Sequence, residues 1–146
     1  MNKQDVRCVL LADRHPGLME GLRGLLETTF EAVVMVADEV SLVESATRLR
    51  VVLAVVDLSL TRGEGMEMVR RLRAKCPEVK LIVISVLDEP SVSRSALEAG
   101  ANGFVLKRAI ATDMLAAVDA VLAGQLYVSP EAGKMPTGRG RPATRP

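Results

Sequence analysis

Five short runs dominated by Val, Ile and Leu punctuate the chain, at residues 6–12, 32–37, 51–56, 80–84 and 103–106. Runs this short and this apolar predict strands buried on both faces. Between them apolar residues return at helical spacing: Leu18, Leu22, Leu25 and Leu26, then Leu42, Val43, Ala46 and Leu49, then Met66, Val69, Leu72 and Cys76. A weaker segment covers 90–99, and a clear one carries Met114, Leu115, Val118, Val121 and Leu122. Each predicts a helix with one apolar stripe. Ser41 with Glu44 reads as a capping box opening the second helix, and Pro90 suits the first turn of the fourth. Gly100 and Gly124 suit the left-handed position that closes a helix. Strand and helix alternating five times predict an α/β domain over residues 5–130, a doubly wound five-stranded parallel sheet. After Tyr127 the composition turns to Gly, Pro, Thr and Arg, which predicts a disordered basic tail or linker over 131–146.

With 146 residues, 49% hydrophobic and 25% charged, the chain has the composition of one globular domain. The formal charge is +1, but Lys134, Arg139, Arg141 and Arg145 carry the tail, leaving 15 bases against 18 acids, or −3, for residues 1–133. Aromatic content is 2%, so stacking platforms for bases have almost nothing to be built from. Cys8 and Cys76 form neither a disulfide framework nor a metal pattern and read as reduced structural thiols. No apolar stretch approaches a bilayer span, which argues for a cytoplasmic protein and against a membrane partner.

In open parallel sheets, functional groups gather beyond the carboxyl ends of the strands. There the sequence places Asp13 after the first run, Asp57 after the third, Ser85 after the fourth and Lys107 after the fifth. Each alone is an ordinary strand ending, but two carboxylates, a hydroxyl and an ammonium on one edge form a complementary set. The carboxylates can hold a hard cation such as Mg2+, which lowers the charge repulsion opposing attack of an aspartate on phosphorus. The product is an acyl phosphate whose oxygens Ser85 and Lys107 can bind. No nucleotide-binding glycine motif accompanies them.

The stretches VLLADRHP, VVDLSLTRGEG, LIVIS and AGANGFVLK resemble the receiver domain of two-component response regulators over about residues 6–131. The resemblance implies a flavodoxin-like fold with strand order 2-1-3-4-5. It implies Asp57 as phosphoacceptor, Asp13 as an acidic-pocket residue, Ser85 as switch hydroxyl and Lys107 as phosphate-binding lysine. Ser59 would lend its backbone carbonyl to Mg2+ beside Asp13 and Asp57. Phe104 matches the aromatic that turns inward when the hydroxyl engages the phosphoryl group, and simple core filling explains it equally well. The HP after Asp13–Arg14, the KRA after the fifth strand and AGQLYVSPE resemble the NarL/FixJ type of transcriptional regulator. Its helix-turn-helix DNA-binding domain has no counterpart here, so the expectation is a stand-alone receiver or a truncated transcription factor. The implied partners are a sensor histidine kinase and a second receiver in a homodimer. The implied chemistry is no enzyme beyond transfer to its own aspartate.

Three positions depart from the family pattern. Arg14 stands where a second acid is usual, taking the pocket from about −3 to about −1 and weakening Mg2+ binding. Its guanidinium either pairs with Asp57 in the metal's place or swings into solvent. Val86 replaces a small residue after Ser85 and is expected to narrow access to Asp57, while Thr61 replaces a loop proline. His15, without a second ligand nearby, reads as a helix-start residue. These departures make a phosphorylation-independent pseudo-receiver, acting as a protein-interaction module, the competing reading. A flavodoxin-like ligand-binding domain is disfavoured by the missing aromatics and phosphate loop. In the tail, Arg139–Pro142 spell RGRP, which resembles the core of a minor-groove AT-hook, although its flanks lack the usual basic and proline residues.

Overall fold

The computed structural model describes residues 7–130 and residue 132. In chain order the elements are β1 (Cys8–Ala12), α1 (Glu20–Glu27), β2 (Ala32–Val36), α2 (Glu39–Arg48), β3 (Val51–Asp57), α3 (Gly65–Lys75), β4 (Lys80–Ser85), α4 (Pro90–Ala99), β5 (Gly103–Leu106), α5 (Ile110–Leu122) and β6 (Tyr127–Val128). The strands form one sheet in the order β2-β1-β3-β4-β5-β6, every pair parallel. Residue alternation along the strands divides the core into two layers. Leu10, Ala54, Val56, Leu81, Val83 and Phe104 face α2, α3 and α4. Val9, Leu11, Leu53, Val55, Ile82, Ile84 and Val105 face α1 and α5. This is the doubly wound parallel sheet that alternating strand and helix periods predict. No helix among the described residues is long and apolar enough to cross a membrane.

Two details differ from the sequence expectation. A sixth strand adds to the outer edge of β5, pairing Tyr127 with Gly103 and Val128 with Phe104. Two residues are too few to carry a period, so no pattern announces them. The second helix opens at Asp38, whose carboxylate accepts the Ser41 amide at 2.7 Å, and not with a capping box at Ser41. Asp38 is a strong cap in its own right, and it leaves Ser41 inside the first turn. Gly100 does adopt φ +120° after α4, and a Cβ there would lie 2.8 Å from Arg73 Cγ. The expected tail, RGRP included, lies outside the described residues except for Ala132.

Arg73 ties the α3–β4 and α4–β5 connections together. Its guanidinium donates to the carbonyls of Cys76 at 3.1 Å, Pro77 at 3.0 Å, Val79 at 2.7 Å and Gly100 at 3.0 Å. It also donates to Asn102 Oδ1 at 2.8 Å, which accepts the Leu81 amide as well. A planar fork with five donors can serve loop carbonyls in this way, and a lysine cannot.

Candidate functional site

Because all strands run the same way, their carboxyl ends share one edge, and the register places Asp57 opposite Ile84 and Ser85 opposite Leu106. Asp13 follows β1 directly, its amide bonded to the Val36 carbonyl at 3.1 Å. Its Oδ1 accepts the His15 amide at 2.8 Å, which turns the chain away from the sheet. Asp57 ends β3 and caps a single 3-10 turn, Leu58–Leu60. Asp57 Oδ1 accepts both the amide and the hydroxyl of Ser59, at 2.8 and 2.7 Å. The side-chain role of Ser59 was not expected, yet a hydroxyl two residues after an aspartate is a familiar turn signal.

Lys107 begins the 3-10 turn after β5 and extends its ammonium between the two acids. Nζ donates to Asp57 Oδ2 at 2.6 Å and lies 3.4 Å from Asp13 Oδ2. The second contact lacks hydrogen-bond geometry, and Asp13 Oδ2 is a buried oxygen with no hydrogen-bond donor. Both carboxylates are buried. Burial works against the charged form of Asp57, but hydrogen bonds from Lys107 and Ser59 outweigh it and hold the carboxyl below the ordinary aspartate value. Burial likewise disfavours the Lys107 ammonium, and the Asp57 hydrogen bond and charge overcome it, raising the amine above its ordinary value. Asp57 and Lys107 therefore both carry their charges at neutral pH.

The remaining expected residues surround this triad at varying distance. Ser85 is buried, but its hydroxyl is engaged by its own loop, accepting the Leu87 amide at 2.9 Å and donating to the Leu87 carbonyl at 3.3 Å. Phe104 is fully buried in the layer with Ala96, Ala99 and Ala101. The ring is thus inward while Ser85 is bonded to Leu87. Arg14 is exposed and makes no ion pair among the described residues, so Lys107 is the cation on Asp57 and the guanidinium takes the solvent-facing alternative. Val86 stands at the rim of a cleft of about 350 Å³ that also reaches Asp57, Ser59 and Ser85, and it is 70% exposed. Thr61 accepts the Gly63 amide at 3.3 Å, closing the loop where a proline would have stiffened it. Gly65 lines the same cleft and packs so close to the Leu58 carbonyl that a Cβ there would lie 2.8 Å from it.

For a divalent cation the donor chemistry is suitable and sparse. Asp13 Oδ2 has unused acceptor capacity and faces Asp57 across the Lys107 ammonium. No group of three or more His, Cys, Asp or Glu gathers among the described residues. Carboxylate oxygens are hard donors of the kind Mg2+ prefers.

The family model described as the response regulator receiver domain matches residues 9–119. The chain is 35% identical over 132 residues to the transcriptional activator protein ExaE of Pseudomonas putida, covering 82% of this chain and 57% of that one. It is 29% identical over 133 residues to the transcriptional regulatory protein DegU of Brevibacillus brevis, covering 90% of this chain and 56% of that one. Among solved structures, a two-component response regulator of the LuxR family from Aurantimonas superposes with a TM-score of 0.78 at 28% identity, covering 86% of this chain and 91% of that one. The chain spans under three fifths of the length of these two curated relatives.

Proposed function

This chain belongs to the response regulator receiver family, and from that premise we propose that Asp57 accepts a phosphoryl group from the phosphohistidine of a sensor histidine kinase. The contact of Lys107 Nζ with Asp57 Oδ2, 2.6 Å long beside buried Asp13, is the observation that carries this reading. An Asp57 oxygen forms the new bond to phosphorus as the bond to the kinase imidazole nitrogen breaks. Lys107 neutralises the oxygens of the arriving group, and Asp57 stays ionised because its carboxyl is held below the usual range. Asp13, Asp57 and the Ser59 carbonyl would hold Mg2+, which supplies further charge neutralisation when bound. Ser85 exchanges its Leu87 bonds for a phosphoryl oxygen, loosening the loop between β4 and α4.

That loop and the α4–β5 face, with Phe104 packed beneath, then form the switched surface for a second receiver or an output domain. The names of ExaE and DegU support transcription control as the output. A cytoplasmic setting accords with that role.

The experiment is intact mass after incubation with acetyl phosphate and Mg2+. The wild-type chain gains one phosphoryl group, and Asp57→Asn gains none while retaining its fold. A label that persists in Asp57→Asn removes the assignment. One observation favours the second reading, a pseudo-receiver that docks partners without phosphate: the place of the usual second acid is held by an exposed arginine. A wild-type chain that stays unlabelled would count against phosphotransfer and in favour of this second reading.

A further inference from the structure

At the end of the sheet opposite Asp57, the starts of β1, β3 and β4 surround a groove of about 730 Å³. Its floor is aliphatic: Val51, Val52 and Val79 are half-buried, and Leu49 is 40% exposed. Its rim is cationic, with Arg7, Arg50, Lys75 and Lys80 against the single carboxylate of Glu78. Four cations and one acid give +3 on a stretch of chain, residues 1–133, whose total is −3. The positive charge is therefore concentrated here against the average of the domain.

The bland explanation for such cations is compensation of helix carboxyl ends. It accounts for Lys75, in the last turn of α3, and for Arg50, directly after the Leu49 cap of α2, and not for Arg7 and Lys80, which stand at the starts of β1 and β4. None of the four side chains forms an ion pair among the described residues. Arg7 is held by its neighbours in other ways, its amide donating to Glu31 at 3.0 Å and its guanidinium stacking 4.8 Å over the Phe30 ring. One wall is also held rigid, because Arg73 bonds the carbonyls of Cys76, Pro77 and Val79 that shape it. A groove already in its bound shape loses little entropy on binding.

We propose that this groove docks an acidic segment of a partner protein, its aliphatic side chains entering the floor and its carboxylates meeting the four rim cations. Charge complementarity selects the occupant. The chain's own residues 134–146 carry four bases and no acid and are repelled. Nucleic acid would find phosphate partners at the rim and no exposed ring for its bases, since no aromatic residue lines the groove. A small anion would leave the aliphatic floor uncovered.

The test is fluorescence anisotropy of the full chain with short labelled peptides, one alternating Glu and Leu and one alternating Glu and Ser. The Glu/Leu peptide binds about tenfold tighter or more, the difference expected from burying one or two leucines. Arg50→Glu combined with Lys80→Glu lowers its affinity about tenfold or more. Leu49→Ser, an exposed change that leaves every charge in place, lowers Glu/Leu binding and spares Glu/Ser binding. Amide shifts on titration centre on Val51, Val52 and Val79. Equal affinity for the two peptides, indifference to charge reversal, shifts centred on Lys107, or tighter binding of mixed-sequence duplex DNA would each overturn the proposal.

Discussion

Ser129 donates to Asp113 Oδ2 at 2.8 Å and accepts the Leu106 amide at 3.1 Å, so one buried hydroxyl joins α5 to the last residue of β5. Ser129→Ala leaves that amide without a partner in the interior. Such a loss costs about 1–3 kcal/mol. Urea unfolding of the variant is expected to show a lower midpoint at unchanged slope, and Asp113→Asn, which can still accept, a smaller shift.

Arg73→Lys is expected to destabilise the fold by about 2–4 kcal/mol although the charge is kept. The guanidinium serves four carbonyls and Asn102 Oδ1 from a fixed plane, and an ammonium with three donors reaches only some of them. The same urea titration checks this, and a change below about 0.5 kcal/mol would show that water replaces the lost bonds.

Arg14→Asp is expected to tighten Mg2+ binding by about tenfold or more. The substitution changes the local charge by two units beside Asp13, and affinity in oxygen-ligand sites follows ligand charge. Isothermal titration of both proteins measures it. Equal affinities would mean that position 14 faces too far outward to reach the ion.

Both cysteines are buried, and burial raises each thiol pKa above its ordinary value. A raised pKa means less thiolate at a given pH, so reaction with a disulfide reagent at pH 8 is expected to be slow in the native protein. It should accelerate as pH rises and become rapid for both thiols in denaturant. Fast native reaction at pH 7 would contradict this environment.

The first five strands were legible because each is built on a short apolar run, and Asp57, Ser85 and Lys107 were legible because each ends or directly follows one. Asp13, Asp57 and Lys107 do converge, at 2.6 and 3.4 Å. Other features had no such signal. Arg73 sits one position from the apolar Leu72 in a helix rich in arginine, and nothing local distinguishes it from Arg70 or Arg71, whose partners are surface glutamates. The Leu87 bonds of Ser85 depend on how a loop folds back, which no periodicity records. Arg14 left two orientations open, and the choice between them depends on which cation reaches Asp57 across the sheet edge.

The short β6 gives the sheet unequal borders. On the far side β2 is a half-buried edge, whereas on the near side Tyr127–Val128 and Ser129 occupy the backbone groups of Asn102, Phe104 and Leu106. A chain cut after Leu122 would therefore expose the flank of β5 as a row of unpaired amides and carbonyls, a template on which another strand can build. Tyr127 to Ser129 thus shield that flank from edge pairing, and a chain lacking them is expected to self-associate more readily than one that keeps them.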